Sequence, residues 1–199
     1  MKLFFTLILT ICYCYHADAQ ANEIQEFEQH KVKVFSSKGL VKSRGLIFSL
    51  KYPFSYSAEE HSNENILMQF ADNLRYNLIY NVGVVKTPNV ISKESQKIIL
   101  SKSNLQTATQ TVSKDAVFLD YKTNFKVNNN NASYIEYIST VAPGSKAIIR
   151  QYFIIHKNYL LTMSFSIPAF MNGTVEKTKT KFQNFKPFFE KVTNTLNIH

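Results

Sequence analysis

Residues 146–167 decide the fold: Lys146-Ala147-Ile148-Ile149-Arg150-Gln151-Tyr152-Phe153-Ile154-Ile155-His156, then Lys157-Asn158, then Tyr159-Leu160-Leu161-Thr162-Met163-Ser164-Phe165-Ser166-Ile167. The last part alternates strictly. Tyr159, Leu161, Met163, Phe165 and Ile167 fall on one side, and Leu160, Thr162, Ser164 and Ser166 on the other. Successive side chains of a strand project to opposite faces, so this is a strand with one apolar face to be covered. The first part is a long β run rich in Ile and aromatics, and Lys157-Asn158 has the length of a primed two-residue hairpin loop. The cover is legible further on, where Phe182, Phe185, Phe189, Val192 and Leu196 recur at three- and four-residue spacing and form a helical apolar stripe. Pro187 interrupts that stripe, which predicts a kink or a helix restarting with Pro187 in its first turn.

Working back from this hairpin, Ala116 to Val127 reads as a strand, Asn128 to Asn131 as a turn, Tyr134 to Val141 as the partner strand, and Pro143-Gly144 as the next turn. Those four strands form an antiparallel meander. Ser92 offers an N-cap to a helix in which Ile91, Ile98 and Leu105 recur at a spacing of seven. Ahead of it, Tyr76 to Val84 carries large apolar residues at even positions and Asn77, Asn81 and Gly83 on the other face. With Asn65 to Phe70 and the turn-prone Asp72-Asn73 it makes a hairpin. Leu46 to Tyr52 alternates and stops at Pro53. Phe35 to Arg44 is punctuated as loop or edge structure, and residues 20–34 are polar, with the character of a mobile arm or loose helix. The sum is an α+β domain: an antiparallel sheet of six to seven strands, an internal helix and a C-terminal helix, with no parallel crossover.

The chain opens with the three parts of a secretion signal: Lys2, the apolar run Leu3 to Ile11, and the small residues of Ala17-Asp18-Ala19. Cleavage is expected between Ala19 and Gln20. Residues 1–19 are then a removed signal peptide, 20–44 an arm, and 45–199 a single domain secreted or held in a periplasm. The apolar run is shorter than the ~20 residues that span a bilayer. Cys12 and Cys14, the only cysteines, lie in the removed segment, and neither follows the Leu-small-small pattern of lipoprotein processing. The mature chain therefore has no thiol nucleophile, disulfide or thiolate metal site.

What remains, about 180 residues of 199, suits one domain with its own core. Lys2 and Asp18 leave together, so the net charge stays at +9. A basic surface favours an anionic partner, such as lipid headgroups or acidic polysaccharide, or an acidic envelope protein. The lysines are scattered from Lys31 to Lys191, and the densest group, Lys177, Lys179 and Lys181, fans around a helix instead of forming the stripe that nucleic acid would need.

No motif carries chemistry. Glu59-Glu60-His61 with Glu64 offers cation ligands, yet such a run reads as a solvated loop tip, and no metal site is assigned to it. His30, His156 and His199 have no sequence partners. There is no Gly-x-Ser-x-Gly elbow and no Ser-x-x-Lys with its companions; Lys93 and Lys102 read as helix surface. Five isolated glycines exclude a phosphate loop, and no cofactor is indicated. Asn131-Ala132-Ser133 and Asn172-Gly173-Thr174 match the glycosylation acceptor pattern. The sequence thus assigns no catalytic, cofactor-binding or metal residue. It favours a non-enzymatic binding or accessory domain. The competing expectation is an envelope-polymer hydrolase whose polar site assembles in space from two or more of His61, His156, Asp115, Asp120 and Glu136.

The order of elements resembles the PsbP-like fold, named for an extrinsic subunit of photosystem II and shared by exported bacterial domains. The likeness rests on Gly45-Leu46-Ile47-Phe48-Ser49-Leu50-Lys51-Tyr52-Pro53-Phe54-Ser55-Tyr56, on Glu64 to Phe70, and on Phe185-Lys186-Pro187-Phe188-Phe189 through Leu196. Tyr56 stands where that group usually has Trp, and no residue set matches manganese, calcium or a photosystem. The resemblance implies the fold and a non-catalytic binding or assembly role.

Overall fold

The computed structural model describes residues 23–72, 78–169 and 174–199. Residues 23–28 are helical (α1). The other elements are β1 (Val32–Ser36), a 3-10 turn (Val41–Ser43), β2 (Phe48–Pro53), β3 (Tyr56–Glu59), β4 (Met68–Asp72), β5 (Ile79–Lys86), α2 (Lys93–Ile99), α3 (Lys102–Val112), β6 (Val117–Val127), β7 (Asn130–Ala142), β8 (Ser145–His156), β9 (Tyr159–Ala169), α4 (Val175–Asn194) and β10 (Asn197–Ile198). The expected signal peptide, with both cysteines, lies outside the described residues, as do Asn73 to Asn77 and most of the second glycosylation pattern.

Seven strands form one antiparallel sheet in the order β3-β4-β5-β9-β8-β7-β6, and β1-β2-β10 form a small second sheet. The hairpin quoted above is its heart. His156 pairs with Tyr159 across the turn, Lys157 takes the positive φ of 53° that a primed turn requires, and Tyr152 lies opposite Met163. Each face has its own core. On one face α2 and α3 cover Ile135, Tyr137, Ile149, Phe153 and Ile155. On the other, α4 presents Phe182, Phe185, Phe189 and Val192, joined by Phe188 and by Leu196 just past its end, to Phe165, Met163 and Ile154.

This second core is an aromatic relay. Phe70 stacks on Tyr80 at 4.6 Å, Tyr80 on Phe165 at 5.1 Å, and Phe165 on Phe189 at 4.8 Å, so three strands and the C-terminal helix share one line of rings. Burying each ring contributes about 1.5–3 kcal/mol, with stacking in addition. Tyr56 is fully buried beside Tyr80 and Phe188.

Three features differ from the reading of the sequence. Val32–Ser36, within the arm, is a strand paired along its whole length with β2. Ser37, fully buried, donates to Leu46 O and accepts from Phe48 N, closing the loop between them. β3, unanticipated after Pro53, pairs with β4. The single expected helix is two: Ser92 caps α2, but Ser101 starts α3 with a cap of its own, so Ile98 is 64% exposed while Leu105 is buried. Of the two outcomes expected at Pro187, a restart is ruled out: α4 runs from its Thr174 cap to Asn194 as one helix.

Candidate functional site

Helix α4 packs on β9, β8 and β2. A cleft of about 180 Å³ opens where its last turns face the β6–β7 hairpin. Its walls are Lys122, Phe125 and Val127 of β6, Tyr134 of β7, Tyr152 of β8, and Glu190, Thr193 and Asn194 of α4. Pairing explains the grouping. Tyr134 lies opposite both Lys122 and Tyr152, and Ala132 lies opposite Phe125. Lys122 and Phe125 are three residues apart and would point to opposite faces of a regular strand; the bulge between them, where Asn124 takes a φ of 60°, returns Phe125 to the cleft face. At the hairpin turn Asn128 and Asn129 both take positive φ, and the Asn128 amide donates to Asn194 O at 3.1 Å and to Leu196 O. That contact holds the end of α4 against the hairpin.

The rings of Phe125, Tyr134 and Tyr152 meet edge to face, with centroids 5.5–6.3 Å apart. Beneath them lies a buried ionic network. Arg150 donates from Nε and Nη2 to Glu136 Oε1 at 2.7 and 2.5 Å, and from Nη1 to the Tyr152 hydroxyl at 3.0 Å. Its guanidinium carbon stands 4.4 Å from the centre of the Tyr134 ring. Lys186 reaches the other oxygen of Glu136 at 3.0 Å, and Glu190 lies 3.5 Å from Arg150 Nη1. Burial alone would lower the Arg150 pKa, but Tyr152 and Glu136 outweigh it and hold the guanidinium charged. Burial pushes the Tyr152 phenol up to about 12 against the pull of Arg150, so it keeps its proton. Tyr134 is also raised, mainly by burial. The hydroxyl of Thr193, a residue only 1% exposed, has no hydrogen-bond partner among the described residues.

The residues named from sequence as a possible catalytic set do not converge. Glu136 is consumed by Arg150 and Lys186. Asp120 lies across from it on β6, exposed. Asp115 accepts from Ser139 Oγ and Thr140 N. His156 meets Asn130 Oδ1 at 2.8 Å, and His61 Nδ1 accepts from Asn63 N. None of the five lines the cleft. No group of three metal-ligating side chains occurs among the described residues, and none of their helices is long and apolar enough to cross a membrane. His199 meets Ser49 at 3.4 Å, His30 is exposed, and Lys93 and Lys102 are exposed on their helices. Asn131 bonds Gln96 while its Ser133 is fully buried.

Sequence reasoning passed over Arg150, Tyr134, Tyr152 and Glu190. The signal was there: a lone arginine in the apolar run Ala147 to Ile155 must be paired if that run is buried.

No family model and no curated sequence matches the chain. Among solved structures it is similar to the cyanobacterial PsbP of Synechocystis, with a TM-score of 0.57 and 10% identity over 85% of this chain and 93% of that one. The architecture is therefore PsbP-like. A Bacteroides thetaiotaomicron protein gives a TM-score of 0.43 at 14% identity, over 76% of this chain and 45% of that one. A Pseudomonas aeruginosa protein of unknown function gives 0.42 at 9% identity, over 82% and 94%.

Proposed function

We propose that this chain is an exported accessory domain that works by binding, engaging a partner at the cell envelope. The observation that carries the reading is the make-up of the cleft. Its walls are aromatic rings, hydroxyls, an amide and two rim charges, and the carboxylate beneath it, Glu136, is neutralised by Arg150 and Lys186. Acid–base catalysis needs a proton-transfer group poised near the working pH and within reach of substrate. A protonated Tyr152 and a saturated Glu136 supply hydrogen bonding and shape instead. The diffuse +9 charge supports attraction to an anionic envelope surface that brings the domain to its partner, and the signal-like first 19 residues support export.

The test has two arms. Expression with a C-terminal reporter followed by fractionation should place the protein outside the cytoplasm with Gln20 as its N-terminus. Incubation of that mature protein with ester, glycoside and phosphate substrates should yield no turnover. A protein retained in the cytoplasm, or turnover that disappears in the Glu190→Gln variant, would overturn the reading.

A further inference from the structure

The cleft beside the α4 C-terminus has features that select a ligand class. We infer that it binds a single neutral pyranose ring of a glycan, held against Phe125 and Tyr134 and hydrogen-bonded by Tyr152, Glu190 and Asn194. The inference rests on the binding role proposed above and names its chemistry.

Size comes first. Pockets for larger organic ligands run to ~300–1,000 Å³, and about 180 Å³ admits one six-membered ring with its hydroxyls. Chemistry comes second. A pyranose has an apolar C–H face and a polar edge. Phe125 and Tyr134 are partly exposed rings that give the apolar surface, and Tyr152 is held from behind. The Tyr152 oxygen accepts from Arg150, so its own proton is left to donate. Glu190, 63% exposed at the rim, is an acceptor with only a long contact to Arg150, and Asn194 adds an amide. The third argument is charge. The cleft walls carry one charge of each sign, Lys122 and Glu190, and beneath them Glu136 is shared by Arg150 and Lys186, so the basic excess of the chain is not focused here. An anionic ligand would meet the Glu190 carboxylate as well as the Lys122 ammonium, whereas a neutral polyhydroxylated one finds both donors and acceptors.

The probes are the methyl glycosides of glucose, galactose, mannose and N-acetylglucosamine, with glucuronate and inorganic phosphate as charged comparators. Saturation-transfer NMR on the mature protein should show at least one neutral glycoside taking magnetisation through its ring protons, with the resonances of Phe125 and Tyr134 shifting in the same titration. Phe125→Ala and Tyr134→Ala should each weaken that binding about 3–10-fold, the range of one aromatic contact. Glu190→Gln changes an exposed side chain and decides the question if a ring variant fails to fold: it should weaken glycoside binding. Val41→Ser, remote on the 3-10 turn, should bind as the parent does. The assignment fails if no neutral glycoside binds, if only glucuronate or phosphate binds, or if binding survives both ring variants unchanged. Failure of sugar binding in an exported, catalytically inert protein would sink this assignment alone. Turnover of a glycoside would instead sink the accessory reading while leaving the ligand class intact.

Discussion

Arg150 donates two hydrogen bonds to a single oxygen of Glu136, and both residues are 1% exposed in the interior between the sheet and α4. Removing one partner strands the other charge away from water. Glu136→Ala should therefore lower unfolding stability by about 3–5 kcal/mol. The paired replacement Arg150→Met with Glu136→Leu should recover much of that loss, because no fully buried charge is left behind and the released Lys186 ammonium, on a partly exposed side chain, can turn to water. Urea denaturation of the three variants measures both effects, and a double replacement as unstable as Glu136→Ala would show that the pair is worth more than its desolvation.

The aromatic relay makes Phe189 the point where α4 joins the sheet. It touches Phe165, Phe182 and Phe185 and is fully buried. Phe189→Ala should cost about 3–5 kcal/mol. Deleting residues 182–199 should leave an unfolded or aggregating product, as read by loss of a cooperative melt in circular dichroism.

Pro187 sits on the exposed side of α4 and denies Gln183 O its helical partner. Proline costs up to ~3 kcal/mol in a helix interior, partly offset because it stiffens the unfolded chain. Pro187→Ala should raise stability by about 1–2 kcal/mol, visible as a higher Tm at unchanged ligand binding.

His156 has its pKa lowered from the ordinary histidine value of 6.5, first by burial and then by Lys157. A base whose folded pKa is depressed binds protons more readily in the unfolded chain. Its stabilising contribution is thus present above pH 6.5 and is lost as the pH falls through the folded pKa. His156→Gln should flatten the fall of Tm between neutral and mildly acidic pH, and an NMR titration of the ring protons should place the midpoint below that of a free histidine.

Much of this architecture could be read from side-chain alternation, and the reasons for the gaps are physical. The runs at 46–52, 78–84 and 159–167 were legible because apolar and polar residues alternate along them, 146–156 because it is a long apolar run buried on both faces, and the C-terminal stripe because one helix face meets the sheet. β3 was not, since four residues with only Tyr56 buried look like a loop. β1 escaped for the same reason: only Phe35 among its five is buried, and Val34 faces solvent. The spacing of Ile91, Ile98 and Leu105 implied one helix because periodicity does not register a second N-cap at Ser101. The cleft was hidden because its residues come from four elements, brought together by the hairpin registers and by a bulge that no composition signal marks. Gly83 shows the same limit. A Cβ there would fall 2.5 Å from Asn65 O and 2.8 Å from Thr162 Oγ1, a close approach invisible before pairing is known.

β6 forms one margin of the large sheet, and Val117, Leu119 and Tyr121 stand exposed along it. Its ladder is broken between Phe118 and Asp120 and again between Lys122 and Phe125, which leaves Asp120–Lys122 as the one regular stretch between the two interruptions. Fibre-forming zippers need about six unbroken, weakly charged residues. A stranger chain laid against this border meets a carboxylate and an ammonium flanking one tyrosine and then loses its footing on either side. The domain can thus display oily side chains to water in crowded surroundings without seeding the growth of fibrils.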